Sequence, residues 1–408
     1  MNPKWRDGNQ VELLINGEEY FPAVFERINA AKEEILLETF ILFDDKVGRE
    51  LQHALIQAAG RGVHIEVLVD GYGTADLGIS FVWEMVSAGI NIHMFDPHPK
   101  LLGFRTNLFR RLHRKIVVID CQDAFVGGIN FGADHLADYG PMAKQDYAVQ
   151  VRGPIVADIH RASMDLFRKT QSRMHNRPDA TEQKVQRHSG SASMLLSIRD
   201  NDSHLRDIEI QYMRAIRSAD HRLMIANAYF FPGYRLIREL RNAARRGVDV
   251  VLILQGLPDM RWAQIASQFL YGYLLHSGIR VYEYCERPLH GKVALVDREW
   301  CTVGSSNLDP LSLSLNLEAN LMIRDHALNQ QLFEHLEGLA EAKCNEITLE
   351  QVNRGAWWKT PLSVACFHLL RHFPAMAGML PAHTPRLEQL KPVAEDTEIL
   401  DYKQDKTI

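Results

Sequence analysis

Long apolar runs are missing from this sequence. No stretch of about 18 or more apolar residues occurs in its 408 residues, so no transmembrane helix is expected. Residues 1–16 include Lys4, Arg6, Asp7 and Glu12 and have no apolar core, so no secretory signal peptide is expected either. We therefore expect any contact with a membrane to be peripheral and made from the cytoplasmic side.

Paired cysteines and an excess of positive charge are also missing. The five cysteines are odd in number and none stands at metal-ligand spacing, which is typical of a protein in a reducing, cytosolic setting. The formal net charge of −5 does not indicate a nucleic-acid-binding protein. The content of 46% apolar and 24% charged residues is ordinary for a folded chain, and the length suits two domains.

What the chain does contain is one internal repeat. The pattern His-x-Lys-x4-Asp occurs twice, and each copy is followed after six residues by a small-residue turn that ends in asparagine. The two copies are His113, Lys115, Asp120 and Asn130, and His290, Lys292, Asp297 and Asn307. Each position lies 177 residues from its counterpart (290 − 113). Two copies in register predict two structurally equivalent halves.

The repeat extends upstream of each motif. Matching segments are residues 58–71 with 243–256, 87–95 with 276–284, and 35–41 with 223–231. These segments indicate amphipathic helices, some ended near a glycine, that alternate with buried strands. The alternation predicts an α/β fold of two α/β/α sandwich repeats.

Composition also predicts the boundaries. We assign residues 1–170 to the first repeat, 171–193 to a polar linker and 194–350 to the second repeat. Residues 351–386 are aromatic, apolar and interrupted by prolines; we favour an interfacial membrane anchor here over a helix packed on the body. Residues 387–408 are expected to form a polar, disordered tail.

The first half contains an insertion just before its motif. Gly89 and Gly278 are 189 residues apart, so the first half has 12 extra residues (189 − 177) within 96–114. This segment mixes arginines with leucines and phenylalanines. It is either a loop that packs its apolar side chains on the body or a flap for an anionic membrane surface.

The residue types in the motif suit phosphoryl chemistry. A histidine and a lysine two residues apart lie on the same face of a strand, which places a nucleophile or proton donor beside a fixed positive charge. Asp120 and Asp297 belong to the same motif, but they fall at the far end of the strand, where a structural role is favoured. The glycine-rich turns bring backbone N–H groups and Asn130 and Asn307 toward the phosphate oxygens.

Neither half makes a complete site. One histidine can attack phosphorus, but the leaving alkoxide needs a proton from a second group. We therefore expect the two halves to be related by a pseudo-twofold axis and to share one active site at their interface.

The paired pattern resembles that of the phospholipase D superfamily. The amino-acid sequence of residues 289–320 and 227–232 is also similar to that of bacterial cardiolipin synthases, in particular their shorter, peripheral B type. The resemblance covers about residues 5–385. The resemblance implies that His113 is the nucleophile and that His290 is the general acid and later the base. It implies phosphate ligands at Lys115, Lys292, Asn130, Ser305 and Asn307, and histidine-orienting carboxylates at Asp146 and Glu318. Gly128 stands where Ser305 stands in the second motif, which we expect the chemistry to tolerate.

The resemblance implies transfer of a phosphatidyl group from one phosphatidylglycerol to another through a phosphatidyl-histidine, with release of glycerol and with no metal or cofactor. The expected partners are phospholipids and the surface of the bacterial inner membrane, and no nucleic acid is expected. Three alternatives stay open: a hydrolytic phospholipase D, a phosphodiesterase or nuclease, and a non-catalytic lipid-binding scaffold. Two intact motifs argue against the scaffold.

Overall fold

The structure is a computed structural model that describes residues 3–97, 109–168, 188–257, 261–353 and 386–391. Sixteen strands lie in this part of the chain. They are β1 (Arg6–Ile15), β2 (Glu34–Thr39), β3 (His64–Asp70), β4 (Asn91–Phe95), β5 (Ile116–Ile119), β6 (Asp123–Gly127), β7 (Tyr147–Arg152), β8 (Ala192–Arg199), β9 (Arg222–Asn227), β10 (Asp249–Gln255), β11 (Arg280–Tyr284), β12 (Lys292–Val296), β13 (Trp300–Gly304), β14 (Glu318–Arg324), β15 (Cys344–Glu346) and β16 (Leu387–Gln389).

Ten α-helices are described in the same ranges. They are α1 (Asn16–Ala30), α2 (Lys46–Gly60), α3 (Ile79–Ser87), α4 (Ile155–Arg168), α5 (Asp207–Ser218), α6 (Tyr234–Arg245), α7 (Arg261–His276), α8 (Pro310–Ser314), α9 (His326–Lys343) and α10 (Leu349–Asn353). None of these helices is long and apolar enough to span a bilayer.

The strands form one sheet, and the order of strands on one side of its centre matches the order on the other side. It runs β15-β11-β10-β9-β12-β13-β14-β8-β1-β7-β6-β5-β2-β3-β4-β16. Read outward from the β1–β8 junction, seven strands of each half follow the same order, and three of them, β2-β3-β4 or β9-β10-β11, are parallel. A short antiparallel strand, β15 or β16, completes each edge of the sheet. The prediction of two equivalent α/β repeats is therefore confirmed.

The matching helix ends have a simple local cause. Gly62 and Gly247 follow α2 and α6 with φ angles of +90° and +93°, which a side chain would strain. The backbone N–H groups of the next residues, Val63 and Val248, donate hydrogen bonds to carbonyls in the last turn of each helix. The following residue begins β3 in the first half and β10 in the second. This is the Schellman type of helix end. Because both halves have it, β3 and β10 begin at equivalent positions after their helices.

Three large clusters of buried apolar side chains stabilise the fold. One lies within the first half and one within the second. A third joins residues of both, among them Val126 and Val149 of β6 and β7 with Val303 and Leu321 of β13 and β14. Because this core is shared, the motifs of the two halves are held in a fixed relation to each other.

The two motif aspartates lie at the end of β5 and β12 that is opposite to the lysines. Their φ angles are +52° and +50°, and each carboxylate accepts hydrogen bonds from three consecutive backbone N–H groups. The donors are Lys32, Glu33 and Glu34 for Asp120, and Asp220, His221 and Arg222 for Asp297. The structure thus separates Asp120 and Asp297 from the histidines with which the motif groups them, and their contacts are those of turn residues.

Replacing Asp297 by alanine should lower the free energy of unfolding by about 1–3 kcal/mol, because three amides lose a charged acceptor and alanine disfavours a positive φ. Urea unfolding measures the loss, and transfer activity per folded molecule should stay near wild type. Asp297→Asn, which tolerates the backbone angle, is the milder control. Loss of activity with unchanged stability would instead give this aspartate a chemical role.

The chain ends contain one correction. Leu387–Gln389 forms strand β16, which pairs antiparallel with β4, so the predicted polar tail does not begin at residue 387. Its sequence lacks the apolar alternation of a strand, and pairing with the sheet edge is what orders it. Most of the predicted linker, the proposed anchor over 354–385 and residues 98–108 of the insertion lie outside the described residues, and those assignments stay predictions.

Candidate active site

The two motif histidines are anchored across the interface between the halves. The backbone N–H of His113 donates to the carbonyl of Leu317 at 2.9 Å, and that of His290 donates to the carbonyl of Gln145 at 2.8 Å. Each histidine therefore lies beside the segment that leads into a strand of the opposite half, β14 for His113 and β7 for His290. The expected interfacial site is built from these two equivalent contacts.

The carboxylates that orient the histidines are exchanged between halves. Nδ1 of His113 lies 3.0 Å from Glu318 Oε2 of the second half, and Nδ1 of His290 lies 2.6 Å from Asp146 Oδ2 of the first half. Both carboxylates are fully buried. Hydrogen bonding at Nδ1 leaves Nε2 of each ring as the nitrogen available to a substrate.

Two buried lysines lie under the histidines. Lys115 Nζ donates to the carbonyl of His113 at 2.8 Å, and Lys292 Nζ makes the equivalent hydrogen bond to the carbonyl of His290. Both side chains are almost completely buried. Burial lowers the pKa of Lys115 to about 7, although the nearby Glu318 carboxylate opposes the shift. The positive charges of two lysines beside the histidines can attract an anionic phosphodiester, and this attraction requires no metal ion.

Burial sets the protonation of the site. It lowers the pKa of His113 well below its usual range, and the positive charges of Lys115 and Lys292 lower it further. The pKa of His290 falls for the same reasons. Burial also raises the pKa of Glu318 to about 8 and raises that of Asp146. Both histidine rings therefore favour the neutral form, and the raised pKa values of the two carboxylates favour a proton held within each carboxylate–histidine pair.

The asparagines present free amide atoms to the site. Asn130 Oδ1 accepts from the Ile41 N–H at 3.2 Å, and among the described residues its Nδ2 has no partner. Asn307 is buried, and its Oδ1 has no hydrogen-bond partner in the part of the chain that the structure describes; rotation of the amide would exchange Oδ1 with Nδ2. These groups fit the expected role of phosphate ligands.

Ser305 is placed differently from the expectation. Its hydroxyl donates to Glu318 Oε2 at 2.5 Å and accepts from the Ala319 N–H at 3.0 Å. The hydroxyl thus supports the carboxylate that orients His113, and it does not face outward as a phosphate ligand would.

The glycine at the equivalent first-half position has a steric cause. A Cβ atom at Gly128 would stand 2.3 Å from Asp146 Oδ1, well inside contact distance. Gly128 therefore provides room for the shorter carboxylate that reaches His290. The sequence showed only the missing hydroxyl, because the neighbour that requires the space is remote in the chain.

Several residues at the site were missed by sequence reasoning. The Phe40 and His113 rings lie 5.0 Å apart, and the Arg111 guanidinium stacks 3.6 Å from the centre of the Tyr72 ring. His135 is fully buried with its ring 5.6 Å from that of His290. The available signals were the position of Arg111 two residues before His113 and the position of His135 five residues after the motif asparagine.

Comparison with known proteins agrees with this geometry. The family described as cardiolipin synthase, PLD-like domain, matches residues 24–163 and 212–340. Cardiolipin synthase B of Salmonella typhi is 54% identical over 393 residues, which are 96% of this chain and 95% of the relative. The corresponding protein of Escherichia coli strain K12 is 52% identical and is covered over 96% of its length, against 97% of this chain.

Among solved structures, a phosphatidylserine synthase of Haemophilus influenzae Rd KW20 is similar, with a TM-score of 0.66 over 91% of this chain and 97% of that one. At 15% identity this likeness concerns the fold alone. Together with the family match over both repeats, the high identity to the cardiolipin synthases shows that the chain belongs to the cardiolipin synthase family of phospholipase D-like proteins.

Proposed function

We propose that the chain is a phosphatidyltransferase that makes cardiolipin from two molecules of phosphatidylglycerol. The observation that supports this best is the pairing of each histidine with a carboxylate of the other half, His113 with Glu318 and His290 with Asp146, beside the two buried lysines. This arrangement suits displacement at an anionic phosphodiester. Relatives that are 54% and 52% identical to the chain bear the name cardiolipin synthase B.

In the first step, Nε2 of His113 attacks phosphorus while the bond from phosphorus to the glycerol oxygen breaks. The departing oxygen takes the Nε2 proton of His290, and Asp146 balances the charge of that ring as the proton is held and released. Glycerol leaves and a phosphatidyl-histidine stays. Glu318 stabilises the cationic, phosphorylated ring of His113 through Nδ1–H.

In the second step, Nε2 of His290 removes a proton from a hydroxyl of another phosphatidylglycerol. That oxygen attacks phosphorus, and the bond from phosphorus to His113 Nε2 breaks. The lysines and the amides of Asn130 and Asn307 hold the phosphate oxygens through both steps. Atoms and protons balance, since His290 regains the proton that it gave to glycerol.

The direct test is incubation of purified protein with radiolabelled phosphatidylglycerol in mixed micelles. We expect equal amounts of cardiolipin and glycerol. Accumulation of phosphatidic acid without cardiolipin would favour a hydrolytic phospholipase D, and no lipid turnover with cleavage of a nucleic acid would favour a nuclease. Parallel reactions with added phosphatidylethanolamine or glycerol identify the donor and acceptor lipids.

Activity should survive exhaustive treatment with a metal chelator, within about twofold of the untreated enzyme. The reason is that Lys115 and Lys292 supply positive charge where other phosphotransferases use a divalent ion. Transfer assays on dialysed protein, with and without chelator, measure this. Complete loss that a divalent ion restores would contradict the proposed charge balance.

We further propose that the protein binds the membrane peripherally, with the side of the membrane left as a prediction. The insertion before His113 is one candidate contact. Arg111 stacks on Tyr72 beside the site, so it is unsuitable for a membrane test. Changing Arg105 and Arg110 to glutamate should weaken binding to phosphatidylglycerol vesicles, because each cation near an anionic leaflet contributes on the order of 1 kcal/mol.

Vesicle co-sedimentation measures that binding, and turnover of a short-chain soluble donor is the control, which should change little. Normal vesicle binding in the double variant would show that the insertion is a packed loop. Residues 351–386 would then be the remaining candidate for the anchor.

A further inference from the structure

A third buried histidine lies beside the pair that handles the proton. Nε2 of His135 accepts a hydrogen bond from the backbone N–H of Asn130 at 3.3 Å. A backbone amide can only donate, so Nε2 is unprotonated and the proton of the neutral ring is on Nδ1. That Nδ1 lies 3.8 Å from Asp146 Oδ2, and among the described residues it has no hydrogen-bond partner.

The second half has a donor at the equivalent place. His135 is five residues after Asn130, and Ser312 is five residues after Asn307. Ser312 is buried, and its side chain lies near Glu318, where it lowers the pKa of that carboxyl. Both halves therefore place a buried proton donor beside their carboxylate at this position.

We propose that His135 is a positioning residue for proton transfer: it stays neutral, directs its Nδ1 proton at Asp146, and keeps that carboxylate in the ionised form that holds the proton on His290. The inference rests on the proposed function, in which His290 is the general acid and base. Ionised Asp146 with a protonated His290 is the state that can protonate glycerol.

The surroundings of His135 agree with a neutral ring. Among the described residues, the charged or titratable groups that face it or the Asp146–His290 pair are Tyr20, His113, Lys115, Asp134, Lys144, Tyr147 and Lys292. Burial and the positive charge of Lys144 lower the pKa of His135 well below its usual range. Its proton is therefore kept on Nδ1 as the donor to Asp146 and is not exchanged during turnover.

Two variants separate the two contacts of this ring. His135→Gln places its amide near the Nε2 position, which keeps an acceptor for Asn130 and removes the donor to Asp146. His135→Asn keeps an N–H near the Nδ1 position and removes the acceptor. We expect His135→Gln to slow cardiolipin synthesis roughly tenfold and His135→Asn to change it much less.

The step affected is identified with a donor that needs no acid. A phosphatidyl ester of p-nitrophenol loses its leaving group without protonation, so the nitrophenolate burst from His135→Gln should equal that of wild type. The alkaline limb of the pH profile with phosphatidylglycerol should move to higher pH, because loss of the donor destabilises the anionic form of the Asp146–His290 pair.

An equal loss of burst and synthesis in His135→Gln would overturn the proposal, because the defect would then lie outside proton transfer. A larger defect in His135→Asn would also overturn it and would mean that His135 only supports the Asn130 turn. A wild-type enzyme that gives the burst but makes no cardiolipin would overturn the proposed function alone. The burst and the pH limb would still test His135 in that case.

Discussion

Replacing either His113 or His290 with alanine is expected to lower cardiolipin synthesis by about 10³-fold or more. The first variant lacks the atom that bonds phosphorus, and the second lacks the group that protonates glycerol. Both side chains lie at the edge of the shared core, so folding should be retained, and circular dichroism and thermal unfolding check it. Full activity in either variant would contradict a site shared by the two halves.

The two variants should differ with the p-nitrophenol ester, although both fail with phosphatidylglycerol. His290→Ala should still release nitrophenolate and accumulate covalently labelled protein, because that leaving group needs no proton. His113→Ala should release neither. Peptide mapping of the label is the measurement. Label on His290 in the His113→Ala variant, with no label in His290→Ala, would show that the two roles are reversed.

Neutralising the exchanged carboxylates is expected to give the second largest effect, a loss of roughly 10²–10⁴-fold in synthesis. An amide at position 146 or 318 can hold its histidine in the wrong tautomer and cannot balance the charge of the ring. Asp146→Asn should behave like a variant of His290, with the nitrophenolate burst retained. Glu318→Gln should behave like a variant of His113, with the burst lost.

Matched controls exist in both halves. Asp158→Asn and Glu239→Gln make the same chemical change at buried carboxylates that pair with Arg6 and Arg217 away from the site. They should retain the burst and the synthesis per folded molecule. If Asp146→Asn instead lost the burst while Glu318→Gln kept it, each carboxylate would serve the histidine of its own half, and the exchanged pairing would be wrong.

Much of this protein is determined by local sequence. The motifs of His113 and His290, 177 residues apart, predict two equivalent halves and one catalytic set, because a spacing of two along a strand places histidine and lysine on one face. Apolar strands after a helix and a glycine, as at Gly62 and Gly247, predict the parallel part of the sheet. These features depend on neighbours along the chain.

Other features depend on which residues meet across the interface, and only the tertiary structure decided them. Sequence suggested that Asp146 and Glu318 orient histidines, but each is nearer in the chain to the histidine that it does not contact. The hydroxyl of Ser305 turned to Glu318, and strand β16 formed by pairing with the edge of the first half. The physical reason is that a periodic pattern determines which face of a strand is buried, while the partner of a buried polar group is set by the packing of segments remote in sequence.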